Sequence, residues 1–210
     1  MTELSIQSNW EYFKYLVEQL HQTERYVDHS RADDGRLLNG ETCSMEFAKI
    51  IMLAASEFEV IAKELCKESG SKLPWNASII TISERVLQLY PRITETYVRT
   101  PRRCFKPLQE WRVLKKTDKN GKKKTVCGIS WWSAYTSIKH DRISSIYKAN
   151  LENAINSMAS LMVMELYLSK KALGNVFRIG VEKCSYFSCD YWPSVAYIGV
   201  EKELPDFEQK

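Results

Sequence analysis

The clearest pattern in this chain of 210 residues is a long row of apolar residues at helical spacing, over about residues 147–172. Residues three and four apart lie on one face of an α-helix, so the row predicts a helix that buries one side. Gly174 follows the row and is expected to end the helix, because glycine readily adopts the left-handed conformation found there. The predicted inner face consists of Leu151, Ala154, Ile155, Met158, Leu161, Met162, Glu165, Leu166 and Leu168.

Four more helical patterns come earlier in the chain. They cover about residues 6–29, 45–68, 78–90 and 131–145. Ser44 and Ser130 stand where the second and fourth of these helices begin, and each is expected to act as an N-cap. With 44% apolar residues, the chain has enough hydrophobic side chains for one sizeable core. The patterns together predict a mainly α protein, built as an antiparallel helical bundle.

The composition changes after Gly174. Short runs of β-branched and aromatic residues follow, and they predict two or three small strands. These runs lie at 176–179, 186–187 and 195–200. We therefore divide the chain into a helical domain, residues 1–173, and a small β-rich C-terminal appendage, residues 174–210.

Positive charge is concentrated in one segment. Residues 92–124 hold twelve lysines and arginines but three acidic residues, a local charge of +9, whereas the whole chain carries +4 and the remainder therefore −5. Clustered positive charge attracts phosphate backbones by releasing their counterions, so this basic segment predicts an RNA-binding surface. The residues that we expect to contact RNA are Arg99, Arg102, Arg103, Lys106, Lys122, Lys123 and Lys124.

Two parts of the basic segment favour different roles. Residues 99–107 mix arginines with an aromatic residue and are stiffened by two prolines, which favours binding. Residues 119–124 surround Asn-Gly, the signature of a tight hairpin tip, where lysines also serve simply to keep a loop solvated. The stretch from about 91 to 128 lacks strong periodicity, which indicates a long functional or partly mobile loop.

A cluster of four ionisable residues, Lys139-His140-Asp141-Arg142, follows in the fourth helical pattern. Burying such a cluster is costly unless every charge is paired, so it is either a solvated helix surface or a site. His140 is a candidate general acid or base near neutral pH, and Lys139 and Arg142 are candidates to stabilise a phosphate. On a regular helix His140 and Arg142 lie about 200° apart, so a shared ligand needs a long arc of contact or a break in the helix.

The candidate site residues also have ordinary structural roles. His140 would then be partly buried and bonded to a backbone carbonyl. The pair Trp131-Trp132 more often packs in a core than stacks on bases, and we favour packing. Glu59 either pairs with Lys63 one turn later, which we favour, or directs its carboxylate at the cluster. The residues expected to support the site are Glu59, Tyr135 and Thr136.

Several other function classes find little support. The six cysteines are scattered without a Cys-x-x-Cys pair, and no histidine follows His140, so we expect no metal site and no cofactor. The N-terminus lacks a basic region followed by an apolar run, and no apolar stretch is long enough to span a membrane. We expect free thiols and a cytoplasmic protein.

The residues Trp131-Trp132-x-Ala134-Tyr135-Thr136-x-Ile138-Lys139-His140-Asp141-Arg142, with the apolar helix after them, resemble the HEPN superfamily. These all-helical proteins occur in prokaryotic toxin–antitoxin, phage-defence and RNA-processing systems. The resemblance implies a helical body over about residues 10–172. It also implies metal-independent RNA cleavage, in which the 2′-hydroxyl attacks the adjacent phosphate, and a homodimer that joins two motifs.

The endoribonuclease motif of that family is an arginine, four to six intervening residues and a histidine. His140 matches the histidine. The arginine would then stand at position 133, 134 or 135, but these are Ser133, Ala134 and Tyr135. Thr136 takes the place of the polar residue, often Asn, that follows the arginine. The expected arginine is therefore missing, and Arg142 lies on the wrong side of the histidine.

Three hypotheses follow. The leading one is a HEPN-like protein of a bacterial anti-phage or stress system that binds or cleaves RNA. In cleavage, His140 would act as acid or base, Lys139 and Arg142 would stabilise charge, and a second protomer would complete the site. The first alternative is a non-catalytic module that holds nucleic acid or a nucleotide. The second is a scaffold subunit of a larger defence assembly, with a partner protein encoded alongside it.

Overall fold

The computed structural model describes residues 1–33, 35–117, 121–174, 184, 186–189 and 203–207. Within this part, six α-helices and two small antiparallel sheets form the regular structure, so the prediction of a mainly α protein is confirmed. The sheets lie in the basic segment, where the sequence predicts a loop.

The helices are α1 (Glu3–Gln22), α2 (Met45–Glu68), α3 (Ile79–Leu89), α4 (Ser130–His140), α5 (Arg142–Ser145) and α6 (Leu151–Leu173). Short 3-10 turns lie at Thr23–Arg25, Ile93–Glu95 and Ile146–Lys148. The first of these turns takes residues that the sequence assigns to the first helix, and the third takes two residues, 147 and 148, that it assigns to the last. Ser44 caps α2 as predicted, since its Oγ accepts the amide N–H of Phe47 at 3.0 Å. Gly174 ends α6 as predicted, with a φ of 69°.

The prediction of one helix over 131–145 is wrong. Ser130 is the first residue of α4 and not its cap, and no side chain caps this helix. The chain leaves helical geometry at Asp141, where φ is −149° and ψ is 79°, so a break separates α4 from α5. The Asp141 carboxylate accepts the amide N–H of Ser144 at 3.2 Å and thereby caps α5.

Two hairpins occupy the basic segment. The first pairs β1 (Val98–Arg99) with β2 (Cys104–Phe105), and the second pairs β3 (Val113–Thr117) with β4 (Lys123–Cys127), both antiparallel. The expectation of a long loop without regular structure is therefore wrong for these strands. We call the second hairpin the lysine ribbon, meaning β3, β4 and residues 121–122 between them.

The helices α2 and α6 form the centre of the fold. At their N-terminal ends the amide of Ser44 donates to the carbonyl of Ala149 at 3.0 Å, and the amide of Leu151 donates to the carbonyl of Thr42 at 3.1 Å. The two helices thus start side by side, and α1 and α4 each contact both of them. The predicted inner face of α6 is buried throughout, and burial surrounds most of the helix. An antiparallel bundle as the overall arrangement stays a prediction.

The C-terminal segment is described only in part. The predicted strands at 176–179 and 195–200 lie outside the described residues, so they stay predictions. Tyr186 and Phe187 do not form a strand, but Ser188 makes an antiparallel bridge with Arg99. In the described part of the chain, no helix is both long and apolar enough to cross a membrane.

Candidate nucleic-acid interface

The predicted catalytic residues lie at the junction of α4 and α5. His140 is the last residue of α4 and Arg142 is the first of α5, and both are exposed, as is Lys139. The exposure of His140 contradicts the alternative of a partly buried histidine bonded to a carbonyl. The break at Asp141 is one of the two arrangements that we expect to let Lys139, His140 and Arg142 bind one ligand. Within the described residues, neither the His140 nor the Arg142 side chain has a hydrogen-bond or ion-pair partner.

Two of the supporting residues stabilise the helix that leads into this junction. The Tyr135 ring packs on Trp132 with ring centroids 4.9 Å apart, and Lys139 Nζ lies 5.5 Å from the Tyr135 centroid. Thr136 Oγ1 donates to the carbonyl of Trp132 at 3.0 Å, so this hydroxyl is bonded within its own helix. These contacts of both side chains lie within α4, and their role in supporting a site stays a prediction.

Two predictions about packing and pairing are confirmed. Trp131 and Trp132 are buried, and the Trp131 ring stands edge-on to Phe58 with centroids 5.2 Å apart. The tryptophan pair thus belongs to the core and offers no platform for bases. Glu59 forms an ion pair with Lys63 at 2.7 Å, which is the favoured of its two roles.

A cleft of about 550 Å³ lies beside the β1–β2 hairpin and the first turns of α4 and α6. Its volume is in the range of small-molecule sites. Two predicted RNA-binding residues, Arg103 and Lys106, meet in this cleft, whereas the cluster at the α4–α5 junction is not part of its lining. The charged and aromatic lining includes Tyr97, Arg103, Phe105, Lys106, Glu110 and Glu152.

Arg103 is held inside the protein. Its Nη1 and Nη2 each donate to Oε1 of Glu152 at 2.9 Å, and its guanidinium carbon lies 3.9 Å from the ring centroid of Phe105. Only 10% of the side chain is exposed. A guanidinium bonded in this way fixes the hairpin to α6, and it can reach a phosphate only if Glu152 releases it.

The other predicted residues of the first hairpin are more accessible. Lys106 is half-buried, with its Nζ 4.7 Å from the ring centroid of Tyr97. Arg99 and Arg102 are exposed. The backbone of Arg99 bonds to Ser188 in both directions, at 2.7 and 2.9 Å, which fixes its place next to the C-terminal segment. The hairpin therefore presents two arginines to solvent.

The lysine ribbon is a second place of concentrated positive charge. The predicted residues Lys122, Lys123 and Lys124 are exposed, and Lys115 and Lys116, which we did not predict as RNA-binding residues, are exposed beside them. Lys116 stands directly opposite Lys124, where like charges repel. In the described part of the chain, no carboxylate forms an ion pair with Lys115, Lys116, Lys123 or Lys124.

The register of the ribbon differs from that of a hairpin with a two-residue turn at Asn-Gly. A two-residue turn at Asn120-Gly121 would place Thr125 opposite Lys116. In the structure Thr117 pairs with Lys123, so the register is shifted by one residue. This shift brings Lys116 and Lys124 together.

The base of the ribbon is fixed to α3. Trp111 Nε1 donates to Ser83 Oγ at 2.9 Å, and Ser83 Oγ donates to Cys127 Sγ at 3.7 Å. A side chain at Gly128 would have its Cβ 3.1 Å from backbone oxygens of Glu110 and Arg112, so only glycine fits this close approach without a shift. The exposed end of the ribbon thus extends from a well-anchored base.

A buried histidine joins the C-terminal segment to the turn after α1. His29 Nδ1 lies 2.7 Å from Tyr186 Oη, and its Nε2 lies 3.0 Å from Thr23 Oγ1. Burial lowers the pKa of His29 to about 4, so the ring is neutral near neutral pH. The sequence gives no signal for this cluster, because nothing in its spacing connects residues so far apart.

The cysteines and the potential metal ligands indicate neither a disulfide nor a metal site in the described residues. All six cysteines are free thiols. Among the residues that the structure describes, no group of three or more His, Cys, Asp or Glu side chains is placed to hold a metal ion.

Comparison with known proteins finds no family model, curated protein or solved structure that matches this chain significantly. The function of this protein is therefore inferred from its own residues and their geometry.

Proposed function

We propose that the protein is an RNA-binding module with a HEPN-like helical bundle, and that the basic segment is its RNA-binding surface. The observation that carries the proposal is the group of four exposed ribbon lysines, Lys115, Lys116, Lys123 and Lys124, for which the described residues offer no carboxylate partner. Such lysines lose no internal ion pair when they meet a phosphate, and binding releases the counterions of the RNA. Arg99 and Arg102 add exposed positive charge from the same segment.

The HEPN-like assignment has two supports. One is the sequence pattern over 131–142, and the other is a mainly helical structure with α6, the helix after that pattern, at its centre. The missing motif arginine favours binding without cleavage. A homodimer and a role in a bacterial anti-phage or toxin–antitoxin system follow from the resemblance alone.

Salt-dependent binding tests this function. Fluorescence anisotropy of a short labelled RNA is measured over a series of KCl concentrations. We expect an affinity that falls steeply as salt rises, because several phosphate contacts release counterions. Absence of binding at low salt contradicts the proposal. A partner protein that then co-purifies with the chain favours the scaffold alternative.

A second function, metal-independent RNA cleavage, is favoured by the helix break at Asp141. In this reaction His140 takes the proton of the 2′-hydroxyl, whose oxygen attacks the adjacent phosphorus. The bond to the 5′-oxygen breaks, and that oxygen takes a proton from an acid on a second protomer. The products are a 2′,3′-cyclic phosphate and a 5′-hydroxyl. Lys139 and Arg142 stabilise the charge that develops on the phosphate oxygens.

A pair of histidine variants tests cleavage. We expect His140→Ala to lower the cleavage rate by roughly 10²–10⁴-fold, as for loss of a general acid or base. His21→Ala removes another exposed histidine and is expected to leave the rate unchanged. Circular dichroism and size-exclusion chromatography establish that fold and oligomeric state are kept. Cleavage retained in His140→Ala dismisses this mechanism.

A further inference from the structure

The lysine ribbon carries positive charge on both of its faces. Side chains alternate along a strand, and residues directly opposite in the ladder share a face. Lys115 and Lys123 therefore stand on the face of Cys127, while Lys116 and Lys124 stand on the other face. All four lysines are exposed. A ligand that touches one face meets only half of this charge.

Repulsion within the ribbon is concentrated at the Lys116–Lys124 pair. The Cβ atoms of directly opposite residues lie about 5 Å apart, so the two side chains start from neighbouring points. Residues 113–127 include one acidic residue, Asp118, against six lysines. A polyanion that contacts the face of Lys116 and Lys124 would lower this repulsion.

The ribbon lacks the side chains that bind unpaired bases. Residues 113–127 contain no aromatic residue, no arginine and no glutamine, and their one asparagine, Asn120, lies outside the described residues. Single-strand binders stack bases on aromatic rings, and readers of base sequence use bidentate side chains. Trp111, just before the ribbon, is buried and bonded to Ser83, so its ring is not available. The remaining chemistry is the contact of lysine with phosphate.

We propose that the lysine ribbon binds base-paired RNA by contacting the phosphates of both strands. The deep, narrow major groove of A-form RNA brings two rows of phosphates close together. A thin ribbon with lysines on both faces meets both rows, whereas a single strand offers one row. Recognition of this kind depends on shape and phosphate spacing and not on base sequence. The proposal deepens the RNA-binding function above and rests on it.

The test compares two variants of the full chain with equal loss of charge. The ribbon variant is K115Q/K116Q/K123Q/K124Q. The matched control is K49Q/K67Q/K72Q/K171Q, which removes four exposed lysines outside the basic segment. Anisotropy is measured at several KCl concentrations with three labelled probes: an RNA duplex, one of its single strands, and a DNA duplex of the same sequence.

We expect the wild type and the control to bind the RNA duplex more tightly than either other probe. The ribbon variant should bind the RNA duplex at least about tenfold more weakly, and its slope of log affinity against log salt should fall by about 3 to 4, since four phosphate contacts are lost. Its melting temperature should equal or exceed that of the wild type, because the four lysines make no ion pair with any of the described residues.

The contradicting outcomes separate the two proposals. Absence of binding to every RNA probe overturns the RNA-binding function itself. Full retention of duplex binding in the ribbon variant, or a single strand bound as tightly as the duplex, overturns the role of the ribbon alone. A DNA duplex bound as tightly as the RNA duplex overturns the assignment to A-form RNA.

Discussion

The core and the lysine ribbon both contain ionisable groups without a partner, but in opposite surroundings. Glu165 of α6 is fully buried, and neither of its carboxylate oxygens has a hydrogen-bond partner in the described part of the chain. Lys116 and Lys124 face each other in solvent. Burial, with a smaller contribution from the charge of Glu57, raises the pKa of Glu165 well above its ordinary value, so its neutral form is favoured.

The difference teaches where an unpartnered charge is useful. In the core such a group lowers stability, and the protein reduces the cost by keeping it neutral. On the ribbon water solvates the ammonium groups, so they remain available to a polyanion. Arg103 is an intermediate case in the same basic segment, because Glu152 already holds it.

The largest expected effect is a pH dependence of stability caused by a buried base, His29. Its pKa is lowered to about 4 by burial, against an ordinary value of 6.5. Between these values His29 binds more protons in the unfolded chain than in the folded one, so the contribution of His29 to stability falls as the pH drops from about 6.5 to about 4. His29 is expected to contribute a slope of about 1.4 kcal/mol per pH unit, measured as the difference between the wild type and His29→Gln in urea unfolding at several pH values. His29→Gln should remove this slope, and His140→Gln, at an exposed position, should keep it.

The second prediction concerns the partnered cation. Arg103→Met leaves the Glu152 carboxylate without its bidentate partner, so we expect a loss of about 2 kcal/mol of unfolding free energy in urea. The double variant R103M/E152Q should regain part of the loss, since the unpaired charge is gone. Unchanged stability in Arg103→Met would mean that the pair does not hold the first hairpin on α6.

The third prediction removes the unpartnered group of the core. Glu165→Met is expected to raise the unfolding free energy by about 1 kcal/mol or more at neutral pH, because a buried polar group without partners is lost. The folded pKa of Glu165 is raised above the unfolded value of 4.5, so the contribution of Glu165 to wild-type stability falls as the pH rises above 4.5. The advantage of the variant should therefore grow with pH. Lower stability at every pH would contradict this account of α6.

The smallest expected effect is on the ribbon. Lys116→Thr removes the repulsion with Lys124, and we expect a gain of about 0.5 kcal/mol at low salt in the absence of RNA. High salt screens the repulsion, so the gain should disappear there. Thermal unfolding at two salt concentrations measures both values. A loss of stability at low salt would show that Lys116 has a stabilising contact.

The helices were largely predictable from the sequence, because their apolar residues keep a regular helical period. Ser44 and Gly174 also act through local contacts that a sequence reveals. The break at Asp141 was not predictable in this way, since the apolar pattern continues to Ile143. In the structure Ile143 is 88% exposed, so that residue does not belong to the buried face.

The positive charge of the candidate site was predictable from the sequence, but the residues that its side chains contact were not. Counting lysines and arginines finds the basic segment, and most of the predicted residues are exposed there. The pairing of Arg103 with Glu152 joins residues 49 positions apart, and that of His29 with Tyr186 joins residues 157 apart. Such contacts depend on tertiary packing, and a one-residue shift of register decides which lysines of the ribbon face each other.

Lysine footprinting measures directly where RNA lies on this protein. The chain is acetylated with and without a bound RNA duplex, and the modified lysines are identified by mass spectrometry. If the ribbon binds RNA, Lys115, Lys116, Lys123 and Lys124 are protected, while Lys49 and Lys67 react equally in both samples. Equal reaction of the ribbon lysines with and without bound RNA would contradict the proposal.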